Sequence, residues 1–222
     1  MKDAMTNTND RDADAVRYVV LWKIAAGLRH RLMGELQIIQ FSAELGARLL
    51  ESGTAEPKVR GCLDKILEQS VATVTTGLSI IEWLRPEQGS TTTIGNAVEQ
   101  CVKTAGDDWN LRGITIATHM LTNDATVSKS AALELIVTSL LALTDLHPGA
   151  IDIEVTAEQF DAEVELRLRA RTTDRSPEFP PLTLYRSLTC RDVVSLADAH
   201  GVACSCDGDG VTLRFALKAP AA

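Results

Sequence analysis

The stretch LWKIAAGLRHRLMGELQIIQFSAELGARLL, from Leu21 to Leu50, decides the fold because its apolar residues recur at helical spacing. At about 100° per residue, one stripe of a helix contains Leu21, Ala25, Leu28, Leu32, Leu36, Ile39, Ala43, Gly46 and Leu50. His30 lies roughly opposite, about 160° from the centre of that stripe. The pattern predicts a long amphipathic helix that buries its leucines and holds one histidine in solvent.

The residues beside His30 give it a particular setting. Gly34 lies one turn later on the same face, where a glycine costs about 1 kcal/mol of helix stability relative to alanine but leaves clearance beside the imidazole. Arg29 and Arg31 flank the histidine, and their guanidinium groups could hold an anion such as a phosphoryl group, although neighbouring positions point in different directions. An ordinary surface histidine between two solvated arginines is the alternative interpretation.

A second helical segment, from about Pro57 to Leu84, repeats the apolar pattern. Its stripe contains Val59, Leu63, Ile66, Ser70, Val74, Gly77, Ile81 and Leu84. Two long amphipathic helices joined by the short loop ESGTAEP form an antiparallel hairpin, and a hairpin leaves apolar stripes that need partners. We therefore predict a homodimer that forms a four-helix bundle; the alternative is that the second half of the chain covers the stripe.

The chain after EQGSTTT changes from long helices to alternating helices and strands. In chain order, the pattern predicts a helix at 93–104, a strand at 113–119, the apolar helix SKSAALELIVTSLLALTDL, the strands AIDIEVTAEQ and AEVELRLRAR, a loop at 172–181, a helix at 184–200 and the closing hairpin VACSCDGDGVTLRFAL. This order indicates an α+β sandwich with helices on one face of a mixed sheet. The predicted division is a disordered tail at 1–12, a helical hairpin at 13–88 and a second domain at 89–222.

Composition excludes several partners. The 222 residues carry a net charge of −8, with a pI near 5.0 and 4% aromatic residues, which argues against binding nucleic acid. No apolar run approaches the roughly 18–20 residues of a membrane span, and the N-terminus MKDAMTNTNDRDADA is polar and acidic rather than signal-like. We therefore expect a cytoplasmic protein that contacts no membrane.

The cysteines and the remaining histidines show no metal-ligand spacing. The five cysteines form no CxxC pair and are expected to be reduced and structural. His119, His147 and His200 lie on separate predicted elements, so surface or structural roles are favoured. We predict no metal site.

The first helix resembles the phosphoacceptor helix of the sensor histidine kinases of two-component signalling. His30-Arg31-Leu32 followed by Leu36-Gln37-Ile38-Ile39 looks like the box of the subfamily that reads HRxxxxLQxI, and the resemblance extends over about residues 15–219. It implies that His30 carries a phosphoryl group. It also implies that the hairpin forms the dimeric bundle and that the second domain resembles the ATPase domain of those kinases.

The second domain departs from that family where the family binds nucleotide. Ser139 and Leu143 stand where the resemblance implies magnesium-holding asparagines, and ARTTDRSPEF replaces an Asp-x-Gly-x-Gly turn, leaving Asp174 without glycines. The segment Leu188-Thr189-Cys190-Arg191 replaces a glycine-rich phosphate loop, although AHGVACSCDGDGVTLRFAL still resembles the closing hairpin. The resemblance therefore implies a kept scaffold that binds no cofactor, and loss of the ligands should abolish autokinase activity.

A helical hairpin that carries an exposed histidine, joined to a domain that lacks the nucleotide ligands, is similar to the kinase-shaped bacterial histidine phosphotransferases, the ChpT-like group. That resemblance implies a phosphorelay protein in which His30 accepts a phosphoryl group from a receiver-domain aspartate and passes it to another. The receiver supplies the magnesium and acid residues, and a neutral imidazole with a pKa near ~6.5 has a free ring nitrogen at pH 7. Arg31 stands where many kinases have a carboxylate, and Gly34 where they have a polar residue, which argues against phosphatase activity.

The predicted docking surface for receivers surrounds the histidine. It comprises Arg29, Arg31, Gly34, Ile38 and Phe41, because exposed apolar residues beside His30 suit a transient interface. Two alternatives stay open. One is a non-catalytic adaptor that binds receivers without covalent use of His30, and the other is an active kinase with a divergent nucleotide site.

Overall fold

The computed structural model describes residues 2–53, 56–84, 89–106, 109, 112–120, 124–175 and 186–218. Its elements in chain order are α1 Lys2–Glu51, α2 Glu56–Leu84, β1 Thr91–Thr93, α3 Ile94–Ala105, β2 Thr115–Met120, β3 Thr126–Ser128, α4 Lys129–Leu146, β4 Ile151–Phe160, β5 Glu163–Thr172, α5 Cys190–His200, β6 Ala203–Asp207 and β7 Gly210–Ala216. No helix in these ranges combines the length and apolar character needed to cross a membrane.

The chain divides into two compact units. One comprises Met1–Ala25 with Glu87–Ala222, and the other comprises Ala26–Pro86. The prediction placed residues 13–88 together in a hairpin domain, whereas the first part of α1 is grouped with the second domain. The physical reason is burial, since Val16, Val20 and Ile24 are almost completely covered within that unit.

Helix α1 also begins earlier than predicted. Residues 2–12, which were expected to belong to a disordered tail, continue the helix back to Lys2. No glycine or proline interrupts this stretch, so a helix nucleated by the periodic segment can propagate through it.

The predicted fold class, α+β with an N-terminal helical hairpin followed by an α/β sandwich, is confirmed. The five-stranded mixed sheet has the order β2-β4-β5-β7-β6, in which β2 and β4 are parallel and the other neighbours antiparallel. Alternate residues of β4 and β5, including Ile153, Val155, Leu166 and Leu168, are buried on one face. Helix α4 is buried along most of its length and packs on this face.

Three details differ from the prediction. The strands β1 and β3 pair with each other in a second small sheet, which was missed because three residues are too few to show a period. Helix α5 begins at Cys190 rather than at 184, because Thr189 and Asp192 form a capping box there. Cys190 and Cys206 are joined in a disulfide, so the expectation of reduced cysteines is wrong for this pair; Cys62 and Cys101 are free and buried.

The outer face of the sheet is charged, and Glu165 on β5 is its most buried acidic residue. Arg214 Nε donates a 2.6 Å hydrogen bond to Glu165 Oε2, and Arg167 contacts the other carboxylate oxygen. The hydrogen bond from Arg214 is the main reason why the pKa of Glu165 lies below its usual value, and Arg167 lowers it further against the opposing effect of burial. The carboxylate therefore links β5 to β7 as long as it is ionised.

Replacing Glu165 by glutamine should lower stability at neutral pH and weaken its acid dependence. A carboxylate with a lowered folded pKa contributes stability above its unfolded pKa of about 4.3, and that contribution is lost as pH falls through the folded value. We expect a Tm about 2–4 °C lower at pH 7, with the difference from wild type narrowing as pH falls below about 4, in thermal unfolding followed by circular dichroism. A constant difference at both pH values would contradict this account.

Candidate functional site

The hairpin of α1 and α2 holds the candidate site, and two contacts define how its helices pair. Thr76 Oγ1 donates a 2.9 Å hydrogen bond to Glu35 Oε1, and a Cβ added at Gly46 would lie 3.4 Å from the Cβ of Cys62. Because the later residue of α1 meets the earlier residue of α2, the helices are antiparallel. A Cβ at position 46 would make ordinary van der Waals contact with Cys62, so the two helices lie against each other at this level.

His30 lies away from the covered side of α1. Leu28 and Gly46 are buried, whereas His30 and Arg29 are exposed, and Arg31 is half-buried. The helical period that turns Leu28 inward therefore turns His30 outward. The imidazole is accessible to a partner.

Three of the five predicted docking residues share the histidine's face. Gly34, Ile38 and Phe41 follow His30 at intervals of three or four residues, so they line one side of the helix. A side chain added at Gly34 would meet nothing within 4 Å, which shows the predicted clearance. Ile38 is 40% exposed and Phe41 65% exposed, so two large apolar side chains stand in solvent on the same side of the helix as His30.

A second exposed apolar surface lies on the same hairpin. The predicted stripe on α1 is covered only in part, since Leu36 and Leu50 are exposed although Leu28 and Gly46 are buried. One neighbouring helix is too narrow to cover so broad a stripe. Helix α2 has a matching row of exposed apolar residues at intervals of three or four: Leu63, Leu67, Val71, Val74, Leu78 and Ile81. We call this row, together with Leu36, the seam.

Glycines 34 and 46 should respond in opposite ways to substitution. Gly34→Ala should raise the free energy of unfolding by about 1 kcal/mol, because alanine favours a helix and meets open space. Gly46→Leu should lower it by about 1–3 kcal/mol, because the side chain would overpack the contact with Cys62. Urea unfolding at one fixed protein concentration measures both, and destabilisation by Gly34→Ala would contradict the geometry.

We call the part of the first compact unit that follows the hairpin, Glu87–Ala222, the C-terminal module. Two of its positions, at which the resemblance implied nucleotide ligands, lie in the core. Ser139 and Leu143 of α4 are buried, and the Ser139 hydroxyl donates to Leu135 O at 2.7 Å within its own helix. Neither side chain is directed to solvent. Asp174 is exposed.

The segment that replaces the phosphate loop is bonded to the chain's own carboxylates. The N–H of Leu188 donates to Asp145 Oδ2 at 2.7 Å, and the N–H of Thr189 donates to Asp192 Oδ2 at 2.8 Å. Hydrogen bonds from Arg186 and Thr189 keep the pKa of Asp192 below its usual value, although burial opposes them. Backbone N–H groups that already donate to carboxylates bind a phosphate poorly, because the carboxylates would repel a second anion.

Four charged residues that sequence reasoning missed connect α1 to the module. Arg17 and Lys23 of α1 pair with Glu134 and Asp145 of α4, at 2.8 and 2.9 Å. The available signal was that Arg17 and Lys23 are the two charged residues in the otherwise mainly apolar stretch 16–25.

No protein-family model matches the chain, and no curated protein matches its sequence. The chain is similar to three solved structures. Histidine kinase AdeS of Acinetobacter baumannii is 12% identical, with a TM-score of 0.44 over 86% of this chain and 98% of that one. A bacterial phosphotransferase is 12% identical, with a TM-score of 0.38 over 89% and 96%. Histidine kinase ThkA, in a crystal structure with the response regulator TrrA, is 14% identical, with a TM-score of 0.42 over 95% and 65%. Similarity at this level identifies no activity, and the chain's own residues carry the proposal below.

Proposed function

We propose that this protein is a dimeric histidine phosphotransfer protein of a cytoplasmic bacterial phosphorelay, with His30 as the phosphoacceptor. The observation that carries the proposal is an exposed imidazole beside open space at Gly34, with Ile38 and Phe41 exposed on the same face. A solvated helix face has no need of two large apolar side chains there. A transient protein interface around a reacting histidine accounts for both features.

The chemistry is a reversible exchange of one phosphoryl group. A neutral ring nitrogen of His30 attacks the phosphorus of a receiver's aspartyl phosphate; the N–P bond forms as the acyl P–O bond breaks, and the aspartate leaves as a carboxylate. The second ring nitrogen keeps its proton. Arg29, exposed next to His30, can neutralise charge on the moving group. Magnesium and the acid residues come from the receiver.

The second copy of the chain is proposed to cover the seam. Its α2 row repeats every three or four residues over five turns, which is the spacing of a helix bundle rather than of a solvated surface. A two-fold axis would place each row against the same row of its partner and complete four helices. The His30 face lies on a different side of α1 and stays accessible.

The C-terminal module is proposed to bind no nucleotide and no metal. Ser139 and Leu143 face the core. The carboxylates of Asp145 and Asp192 accept hydrogen bonds from the backbone N–H groups of residues 188 and 189. Since phosphoryl transfer from ATP depends on positioning and on neutralising phosphate charge, this arrangement supports transfer from another protein rather than from ATP.

A transfer assay tests the proposal. The protein is incubated with a receiver domain carrying labelled aspartyl phosphate, and we expect an acid-labile, base-stable label on this chain. Receiver binding without any label would favour the adaptor function instead. Label acquired from ATP and magnesium alone would show a divergent kinase, and either result would refute the proposed function.

A further inference from the structure

Residues 13–25 of α1, which we call the strap, lie within the compact unit formed by the C-terminal module. The inward side of the strap consists of small aliphatic residues that are almost fully buried: Ala13, Val16, Val19, Val20 and Ile24. Such a stripe gains stability from burial but selects its register weakly, because a shift by one turn again places aliphatic on aliphatic. Something else must determine where the strap docks.

The first determinant is Lys23. Its Nζ lies 2.9 Å from Asp145 Oδ2, and the two side chains are only 12% and 14% exposed. The same carboxylate accepts the N–H of Leu188 at 2.7 Å. One buried carboxylate therefore holds together the strap, the end of α4 and the segment that leads into α5.

The second determinant is Arg17, six residues earlier. Its Nε donates to Glu134 Oε2 at 2.8 Å, and His200 Nε2 lies 2.9 Å from the same oxygen. Burial raises the pKa of Glu134, but the hydrogen bonds with His200 and Arg17 lower it more, so the carboxylate stays ionised. Glu134 thus connects the strap to the middle of α4 and to the last residue of α5.

Partly buried ion pairs behave differently from an apolar contact when they are broken. Removing one partner leaves the other charge partly desolvated and without a counter-charge. The intact pair, by contrast, contributes more to fixing the position of the strap along α4 than to the net free energy of folding. Contacts of this kind favour two discrete states, docked and released, over gradual sliding.

We propose that residues 13–25 form an ionically latched strap, which opens from α4 and α5 as a unit while the sheet stays folded, and whose opening lowers phosphoryl transfer at His30. The effect of this opening on phosphoryl transfer at His30 rests on the proposed function. Helix α1 runs without a break from Lys2 to Glu51, and helices owe most of their stability to tertiary packing. When the strap is released, α1 therefore loses packing at its N-terminal part and its helical order decreases toward His30. The imidazole is then held less well in the orientation that phosphoryl transfer requires.

Hydrogen exchange by mass spectrometry on the full chain tests the strap directly. In Lys23→Met and Glu134→Gln we expect exchange in residues 13–25 to rise on the order of 100-fold, with β4 and β5 unchanged. Two variants are matched controls. Lys23→Arg keeps the cation, and Asp14→Asn removes only the exposed partner of Arg17, so each should stay within about twofold of wild type.

Two exchange results would overturn the strap. Unchanged exchange of residues 13–25 in both Lys23→Met and Glu134→Gln would show that the ion pairs do not hold the strap against α4 and α5. Faster exchange of β4 and β5 in parallel with residues 13–25 would show that the segment is an integral part of the core instead of a separately opening element.

The same variants test the regulatory part in the transfer assay. We expect Lys23→Met to slow labelling of His30 by about fivefold and Asp14→Asn to leave it unchanged. An unchanged rate in Lys23→Met, with exchange raised, would refute coupling to His30. Wild type that takes no label would refute the proposed function and the coupling together, while the exchange result for the strap would stand.

Discussion

His30→Ala is expected to reduce acceptance of a phosphoryl group from a receiver by at least about 1000-fold, to the limit of detection. The reason is chemical: the exposed imidazole is the nucleophile, and neither Arg29 nor Arg31 can replace it, because a guanidinium stays protonated and has no free electron pair at pH 7. The measurement is the rate of label transfer from a phosphorylated receiver domain.

His119→Ala is the matched control for this loss. His119 is also an exposed histidine, but it lies on β2 in the other compact unit, so its replacement should leave transfer unchanged. Both variants should keep the circular dichroism spectrum and the oligomeric state of wild type, since each removes an exposed side chain. Equal labelling of His30→Ala and wild type would refute the assignment.

Leu67→Asp is expected to dissociate the dimer. Leu67 is 67% exposed in the single chain and is the second of the six residues in the α2 row, so a second copy would bury it. A two-fold interface contains the substituted residue twice, once from each chain. Burying the two unpaired carboxylates costs about 2 kcal/mol each, which raises the Kd of the dimer on the order of 1000-fold. Sedimentation velocity over a micromolar concentration series measures the change.

Leu146→Asp separates this effect from a general response to losing an apolar side chain. Leu146 ends α4, is 55% exposed and lies outside the seam, so its replacement by aspartate should leave the dimer intact. A wild-type protein that is monomeric at micromolar concentration would contradict the proposed bundle. Equal dissociation by both variants would place the interface elsewhere.

Much of the fold could be predicted because its determinants are local. Helical spacing identified α1 and α2, and alternation identified β4 and β5 within one residue of their observed ends. The start of α5 was placed too early, because Leu188 suits a helix by type but is held in a loop by its bond to Asp145. The three-residue strands β1 and β3 exist only because they pair with each other.

The candidate site divides in the same way. The exposure of His30 and the clearance at Gly34 follow from helical period and residue size, so the sequence predicted both. The charged contacts of the strap could not be predicted, because Arg17 and Glu134 are 117 residues apart and Lys23 and Asp145 are 122 apart. No local pattern reports which distant carboxylate a cation will meet.

The amino-acid sequence by itself determined which residues of the first helix turn inward and which, like His30, turn outward, because the 3.6-residue period acts within one helix. It also determined the strands β4 and β5, through the alternation of their apolar residues. Only the tertiary structure decided that one helix serves two compact units, with Val16, Val20 and Ile24 covered in one and Leu28 and Gly46 in the other. The reason is that an apolar stripe specifies that it will be buried but not against which surface, and here the stripe lies where Arg17 and Lys23 also meet carboxylates of α4.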